Sequence, residues 1–226
     1  NLGLREHQGS RENNLLDAQI GTVFMDPSAQ PKERYKSVTL GDINLEQYAA
    51  FRARYPGRWQ PRAYRKDVGH VYALRGHVSP DGLQWRTLQE PLCLEHSDTQ
   101  IVAYFDVRLS KYVIYTRSYM VGHRSPSAQG ENIVWWGGDA NGPGRRSIGR
   151  TESADFSAFP VSDVIVVPGA DLRADDVLYT NCRTSIPGNP DQHLMFPAVW
   201  HTYDDTTTIV LASSHDGRVW QFVPGE

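Results

Sequence analysis

The sequence predicts an all-β protein, a β-propeller built of four-stranded antiparallel blades with one short inserted helix. Two observations lead to this fold class. A turn motif that ends in an aromatic residue recurs along the chain, and the segments between the turns are short apolar runs rich in β-branched and aromatic residues. Such runs are typical of strands. Repeated four-stranded sheets arranged radially are the architecture that this pattern favours.

The recurring turn has the form Ser-x-Asp-Gly, with an aromatic residue three positions after the Gly. It occurs at 79–85 and 214–220, and a degenerate copy occurs at 153–159. The Asp carboxylate accepts hydrogen bonds from backbone amides across the turn and the Gly supplies a positive φ, so each copy favours a β-hairpin. A spacing of roughly 60 to 75 residues indicates a repeated module with loops of variable length.

Each turn is preceded by a further pair of apolar runs, so each module provides four short strands. The paired runs are Ile20–Met25 and Tyr35–Leu40, then Ile101–Phe105 and Tyr112–Thr116, then Val177–Tyr179 and Leu194–Trp200 around a turn at Gly188–Asp191. We expect one partial propeller domain over 1–226, with blades at approximately 17–88, 99–160 and 177–224. Because a closed propeller needs about four or more blades, missing blades or another chain would have to complete the ring.

One helix is predicted between Asn44 and Tyr55. Asn44 is a suitable N-cap, and Gln47 stands three residues later at the capping-box position. Pro56 and Gly57 follow and end the helical pattern. The helix therefore lies inside the first module as an insertion between strands.

Composition and charge exclude several classes of partner. The chain has 23 Lys and Arg against 26 Asp and Glu, a net charge of −3 without a basic block, so we expect no nucleic-acid partner. No apolar run approaches the roughly 20 residues needed to span a bilayer, so we expect no membrane partner. The 8 His residues form no zinc motif, and Cys93 and Cys182 are too far apart to pair as ligands. No cofactor and no metal are predicted.

The lengths of the connections distinguish the two ends of the blades. The Asp-containing turns are short and share one end, whereas the long segments share the other end, where loops on a rigid scaffold carry a site. Residues just before the first strand of each blade converge there. Because glycoside hydrolysis uses carboxyl groups around one sugar, Asp98 is the candidate catalytic residue. The candidate substrate-binding residues are Glu12, Asn14, Gln100, Arg117, Trp135, Trp136, Asp176 and Tyr179.

The candidates also have structural interpretations. An Asp at the mouth of a strand is often a turn cap. Arg117 and Arg150 either orient a carboxylate or sugar hydroxyls, or bridge neighbouring blades. Trp135 and Trp136 either stack on the apolar face of a sugar or anchor their own loop.

Six short motifs are spread over nearly the whole chain. They are Leu2-Gly3-Leu4, Gly9-Ser10-Arg11-Glu12-Asn13-Asn14, Glu33-Arg34-Tyr35-Lys36, Ser79-Pro80-Asp81-Gly82, Ser97-Asp98-Thr99-Gln100 and Ser214-His215-Asp216-Gly217. Together they resemble the bacterial five-bladed propeller proteins described as glycosyl hydrolase-like. That group is similar in fold to invertase, levansucrase and arabinanase, the furanosidase-type propellers.

The resemblance implies a five-bladed ring, of which this chain holds about three blades, and a site built from three carboxyls on successive blades. The nucleophile of the invertase type lies on the first blade, before the part present here. Asp98 holds a place similar to that of the transition-state Asp in the Arg-Asp-Pro motif, but without the flanking Arg or Pro. The acid of the Glu-Cys-Pro motif has no counterpart. Some related propellers carry an axial calcium ion, for which no motif is present.

Two main functional hypotheses follow. The first is a glycoside hydrolase-like propeller that acts on a furanoside or a related glycan and requires Asp98. The second is a non-catalytic propeller that binds a glycan or a protein, and the missing acid motif favours it. Two carboxyls within about 5–10 Å of each other would favour hydrolysis, and a lone Asp98 among Arg and Trp would favour binding. A third hypothesis is a purely structural role in an assembly with another chain. A hydrolase for external glycan would be extracellular or periplasmic, although the sequence leaves the compartment open.

Overall fold

A computed structural model describes residues 2–16, 19–65, 69–98, 100–120, 145–173 and 175–224. Its regular structure is mostly antiparallel strands, which form three successive meanders, and the described residues include one α-helix. The predicted four-stranded antiparallel sheets with one inserted helix are therefore confirmed. None of the helices in these ranges is long and apolar enough to cross a membrane.

The first meander begins the chain's regular structure. It comprises β1 (Thr22–Met25), β2 (Tyr35–Ile43), α1 (Leu45–Arg54), β3 (Tyr64–Arg65), β4 (His70–Ser79) and β5 (Arg86–Thr87), with short 3-10 helices at Pro31–Glu33 and Pro61–Ala63. β2 lies between β1 and β4, while β3 and β5 pair with opposite ends of the other edge of β4. β2 continues beyond the predicted end at Leu40 because β4 pairs with it as far as Ile43.

The second meander is the most regular. Its strands β6 (Val102–Asp106), β7 (Lys111–Met120), β8 (Arg145–Ser153) and β9 (Asp163–Val166) lie in chain order. β7 is longer than the predicted run Tyr112–Thr116, since it pairs with β8 as far as Met120. The predicted binding residues Trp135 and Trp136 lie outside the described residues.

The third meander is interrupted. Its strands are β10 (Asp176–Thr180), β11 (Thr184–Ile186), β12 (Asn189–Met195), β13 (Ala198–His201), β14 (Thr206–Ile209), β15 (Ala212–Ser214) and β16 (Gln221–Phe222). They form two sheets, β10-β13-β14 and β11-β12-β15-β16. Three passages of the chain continue from one sheet into the other, and β16 belongs to the second sheet alone.

Irregular backbone separates these two sheets. Cys182, between β10 and β11, has a φ of 43°, and Pro197, between β12 and β13, has no N–H to donate. The prediction that Gly188–Asp191 forms the turn is wrong in part: the chain turns at 187–188, because Asn189 already pairs with Ile186. The remainder of the predicted turn belongs to β12.

The inserted helix is the predicted one. The side chain of Asn44 accepts a hydrogen bond from the Gln47 amide, and the Gln47 side chain accepts one from the Asn44 amide, so both halves of the capping box are present. Tyr48 and Phe51 are buried on the inner face of α1. They pack with Ile43, Val71 and residues near them, which fixes the helix on the first meander.

Apolar side chains fill the spaces between meanders. On β7, Ile114 belongs to a cluster that includes Val38 and Leu74 of the first meander, whereas Val113 and Tyr115 belong to one that includes Leu178 of the third. This alternation follows from the two-residue period of a strand. The second meander is thus buried on both faces between its neighbours.

The first strands of the three meanders lie side by side. The hydroxyl of Thr22 donates to the carbonyl of Ile101, which joins the start of β1 to the start of β6. The Asn181 side chain donates to the carbonyl of Gln100 at 3.1 Å, and the Cys182 amide donates to the Gln100 side chain at 2.7 Å. The segment just before β6 is therefore fixed from both sides.

The Asp-containing turns lie at the far end of these strands. The Asp81 carboxylate accepts hydrogen bonds from the amides of Leu83 and Gln84, and Asp216 accepts equivalent bonds from Arg218 and Val219. These carboxylates hold the predicted hairpin turns. Since the residues just before β6 lie next to the start of β1, they are at the opposite end of the sheets from these turns.

Candidate functional site

The candidate site is built on the segment that links the first meander to β6. Glu95, His96 and Ser97 are buried, whereas 33% of the Asp98 side chain is exposed. The Ser97 hydroxyl accepts a hydrogen bond from the Arg117 amide at 2.9 Å, which ties the segment to β7. Asp98 is thus presented to solvent from a segment whose backbone is fixed.

Asp98 forms an ion pair with Arg117, whose side chain is fully buried. His96 joins the pair: its Nε2 lies 2.7 Å from Arg117 Nη2 and 3.6 Å from Asp98 Oδ2. The His96 ring stacks on Tyr72 with ring centroids 4.2 Å apart and an interplanar angle of 3°. Stacking and hydrogen bonding together set the orientation of the carboxylate.

The pKa of Asp98 is lowered. Burial by itself would raise this pKa, but the contact with His96 and the positive charges of Arg117 and Arg146 outweigh burial and hold it well below the ordinary value of an Asp. Asp98 is therefore ionised at neutral pH. An ionised carboxylate accepts hydrogen bonds from hydroxyl groups and has no proton to donate, so Asp98 is unsuited to the role of general acid.

Asp98 lines an open cleft of about 470 Å³ at the start of β1 and β6. Gln100, Thr22 and Thr39 also line it, together with apolar side chains that include Ile20. The described lining contains a single carboxylate, that of Asp98. Hydroxyl and amide groups beside an apolar wall can bind a polyhydroxylated ligand.

A second arginine approaches the same carboxylate from β8. Arg146 is buried, and its guanidinium lies 4.8 Å from the ring centroid of Tyr179 and 6.0 Å from that of Trp200. Its Nε and Nη1 atoms have no hydrogen-bond partner among the described residues. The positive charge near Asp98 thus exceeds the negative charge that Asp98 supplies.

The structure brings some of the sequence candidates together. Arg117 binds Asp98, Gln100 lines the same cleft, and Tyr179 packs on Arg146, whose charge acts on Asp98. Tyr179 is itself partly exposed. Four of the candidates therefore belong to one region.

Other candidates lie elsewhere. The buried carboxylate of Asp176 contacts His201 Nδ1 at 2.8 Å and accepts the Arg173 amide at 2.9 Å, which is the pattern of a turn cap. Glu12 and Asn14 are exposed in the segment before β1, and no described side-chain bond connects them to Asp98. Arg150 lies opposite Tyr115 in the sheet register, and its side chain binds Glu152.

Two residues of this region were not among the sequence candidates. His96 stands two positions before Asp98 in an extended segment, and that spacing is a signal that places both side chains on one side. Arg146 gives no comparable signal, because the long connection before β8 hides its register with Arg117. Among the described residues, no group of three or more His, Cys, Asp and Glu has the arrangement of a metal site.

Comparison with solved structures concerns the arrangement of the antiparallel meanders. The first of the two structures described next supports a furanosidase-type fold. A mutant GH32 β-fructofuranosidase of Bombyx mori in complex with sucrose is similar over 91% of this chain and 34% of that chain, with 10% identity and a TM-score of 0.50. Sucrose-6-phosphate hydrolase from Lactobacillus gasseri is similar over 90% of this chain and 33% of that chain, with 12% identity and a TM-score of 0.48.

These similarities concern the fold. The chain spans about a third of the length of these structures. No family model matches the sequence. No curated protein matches it either. The resemblance to furanosidase-type proteins that the sequence motifs predicted is confirmed at the level of the fold.

Proposed function

We propose that the three meanders are consecutive blades of a five-bladed propeller and that its cleft binds a glycan. Adjacent first strands, the long connections at one end and the fold similarity to a GH32 enzyme support this arrangement. The remaining blades come from another part of the same protein or from another chain. The blades correspond to approximately 17–88, 99–160 and 177–224.

One observation carries the functional proposal: the carboxylate of Asp98 is ionised, fixed by Arg117 and exposed at the mouth of the cleft. A fixed carboxylate accepts hydrogen bonds from two neighbouring sugar hydroxyls at little entropic cost. We therefore assign Asp98 to substrate positioning in a glycoside hydrolase-like site for a furanoside or a related glycan. Gln100 lines the same cleft, and Tyr179 packs on Arg146 near it.

The alternative is a non-catalytic glycan-binding propeller. It is favoured by the fact that the described lining of the cleft supplies one carboxylate, whereas both hydrolytic mechanisms need two. A further carboxyl from a neighbouring blade would restore hydrolysis. The two functions share the same ligand and the same role for Asp98, and they differ in turnover.

Measurements of the binding and hydrolysis of furanoside oligosaccharides, such as fructans and arabinans, test both proposed functions. Isothermal titration measures binding, and reducing-sugar release measures hydrolysis, for the wild type, Asp98→Asn and the control Asp81→Asn at the opposite end. We expect Asp98→Asn to weaken binding by about 10-fold or more, because a charged hydrogen-bond acceptor is lost, and Asp81→Asn to bind as the wild type does. Binding without sugar release identifies the non-catalytic function. Equal affinity of Asp98→Asn and the wild type would refute the assignment of Asp98.

A further inference from the structure

A second cavity, of about 260 Å³, lies between the second and third meanders. It is formed where the turn after β6 faces the turn between β11 and β12, at the end of the strands away from Asp98. Its polar lining comprises Tyr104, Asp106, Arg108, Arg183, Ser185 and His193. None of these residues takes part in the glycan site proposed above.

Arg183 is a buried cation that no described carboxylate contacts directly, although the charge of Asp106 acts on it from farther away. It is only 7% exposed, and its guanidinium lies 3.5 Å from the ring centroid of Tyr104. No carboxylate in the described part of the chain lies within 4.0 Å of it, and its Nε atom has no hydrogen-bond partner there. Burial lowers the pKa of Arg183, but an arginine stays charged at neutral pH. A buried charge of this kind is costly unless an anion offsets it.

His193 sits between two guanidinium groups. Its Nε2 lies 2.7 Å from Arg108 Nη2, and its Nδ1 contacts Arg183 Nη2. Burial and the charges of these two arginines lower the pKa of His193 to about 4, so the ring is neutral at pH 7. A neutral imidazole accepts a hydrogen bond at only one nitrogen. One of the two arginines therefore faces a ring N–H and has a donor left for another acceptor.

The acidic groups at this cavity are already engaged. The Asp106 carboxylate accepts the amides of Arg108 and Leu109 and so holds its own turn, and its Oδ1 also lies 3.7 Å from Arg108 Nε. Asp191 pairs with Arg108 at 2.8 Å but is mostly exposed, where such a pair contributes little. The hydroxyl of Tyr104 is buried near that of Tyr115, and burial raises the pKa of Tyr104, so the hydroxyl keeps its proton and can donate. The Nε donor of Arg183 is thus left without an acceptor among the described residues.

We propose that this cavity is a binding site for a tetrahedral oxyanion, a phosphate or sulfate group, held by Arg183 and Arg108 and by the hydroxyl of Tyr104. Guanidinium groups match the oxygen spacing of such an anion with two parallel hydrogen bonds. The cavity volume accommodates the anion together with a small organic group. The site is independent of the glycan cleft, since it lies at the opposite end of the strands.

Titration with inorganic phosphate tests the proposal, with sodium chloride at matched ionic strength as the reference. Calorimetry and the shift in melting temperature are measured for the wild type, Arg183→Gln, Arg108→Gln and the control Arg218→Gln. Arg218 is a half-exposed arginine on the same end that pairs with Glu152. We expect the wild type and Arg218→Gln to bind phosphate alike. Each of the other two variants should bind it about 10-fold or more weakly, because each loses a charged donor.

The stability of the ligand-free variants gives a second readout. Removal of an uncompensated buried charge raises stability, so Arg183→Gln without phosphate should melt no lower than the wild type, even though its response to phosphate is lost. If Arg183→Gln fails to fold, Arg108→Gln carries the test, because Arg108 is partly exposed and its loss leaves the core intact.

The source of the group is distinguished in the same titration. Tighter binding of a sugar phosphate than of inorganic phosphate, with no binding of the parent sugar, indicates a group carried on a small molecule, and equal binding indicates the free anion. Either result supports an oxyanion site. The proposal is overturned if phosphate has no effect beyond that of chloride, or if Arg183→Gln and Arg108→Gln respond to phosphate as the wild type does.

Discussion

Replacing Asp98 by Asn should destabilise the protein by about 2 kcal/mol at pH 7. Removing one partner of a fully buried ion pair costs about 3–5 kcal/mol, and exposed pairs contribute at most about 1 kcal/mol. Arg117 is fully buried while a third of Asp98 is exposed, so the pair lies between these limits. The Asn side chain keeps one oxygen that can accept a hydrogen bond from Arg117, which moderates the loss.

The destabilisation should depend on pH in a defined direction. Because the folded-state pKa of Asp98 is depressed, the ion pair contributes its full stability above the ordinary Asp pKa of about 3.9, and the contribution is lost as pH falls below that value. The difference in the free energy of unfolding between the wild type and Asp98→Asn should therefore be constant from pH 6 to 8 and become smaller below about pH 4. Urea denaturation followed by tryptophan fluorescence measures the free energy of unfolding of the wild type and of Asp98→Asn at each pH.

A double-mutant cycle with Arg117→Gln isolates the pair. The cost of the double variant should be smaller than the sum of the single costs by about 1 kcal/mol or more. Glu33→Gln is the control, because Glu33 pairs with Arg86 at 2.6 Å on the surface and its loss should cost less than about 1 kcal/mol. Additive costs, or a cost of Asp98→Asn no larger than that of the control, would refute the reasoning.

Three further predictions concern the sheets. Gly149→Ala should lower stability by about 2 kcal/mol in urea denaturation, since a Cβ there would lie 2.8 Å from the hydroxyl of Thr116. Burial raises the pKa of Glu95, so the contribution of the protonated Glu95 side chain to the free energy of unfolding is complete at acid pH and declines as pH rises above about 4.3. Glu95→Gln should remove that decline in stability between pH 4 and 8. Asp26→Asn should cost about 3 kcal/mol, because it leaves the buried ammonium of Lys36 without its carboxylate 3.0 Å away, and thermal denaturation at pH 7 measures this.

Local chemistry made much of the fold predictable. The turns at Asp81 and Asp216 need a side-chain acceptor and a positive φ, and both requirements are visible in four letters of sequence. The capping box at Asn44 is equally local. The interruption of the third meander was not predictable in this way, because the positive φ of Cys182 occurs together with a hydrogen bond from its amide to Gln100, which is distant in the sequence.

The candidate site was predictable where one segment supplies it. Asp98 and Gln100 stand together in the chain, and their place before an apolar run identifies the mouth of a strand. The approach of Arg146 depends on strand register across a long connection, which the sequence does not encode locally. Asp176 also stands beside an apolar run in the sequence, but it is the first residue of β10 and His201 on the neighbouring strand binds it. Only the pairing of β10 with β13 reveals that contact.

The irregular backbone across the third meander divides this meander into two separate sheets. Amide protons near Cys182 and Pro197 should exchange with solvent sooner than those in the unbroken ladder between β7 and β8, since fewer regular ladder bonds protect them. We therefore expect either sheet of the third meander to accept an insertion or an exchanged loop while the other sheet keeps its geometry. In protein design, a new binding loop would be inserted next to the irregular backbone at Cys182 and Pro197.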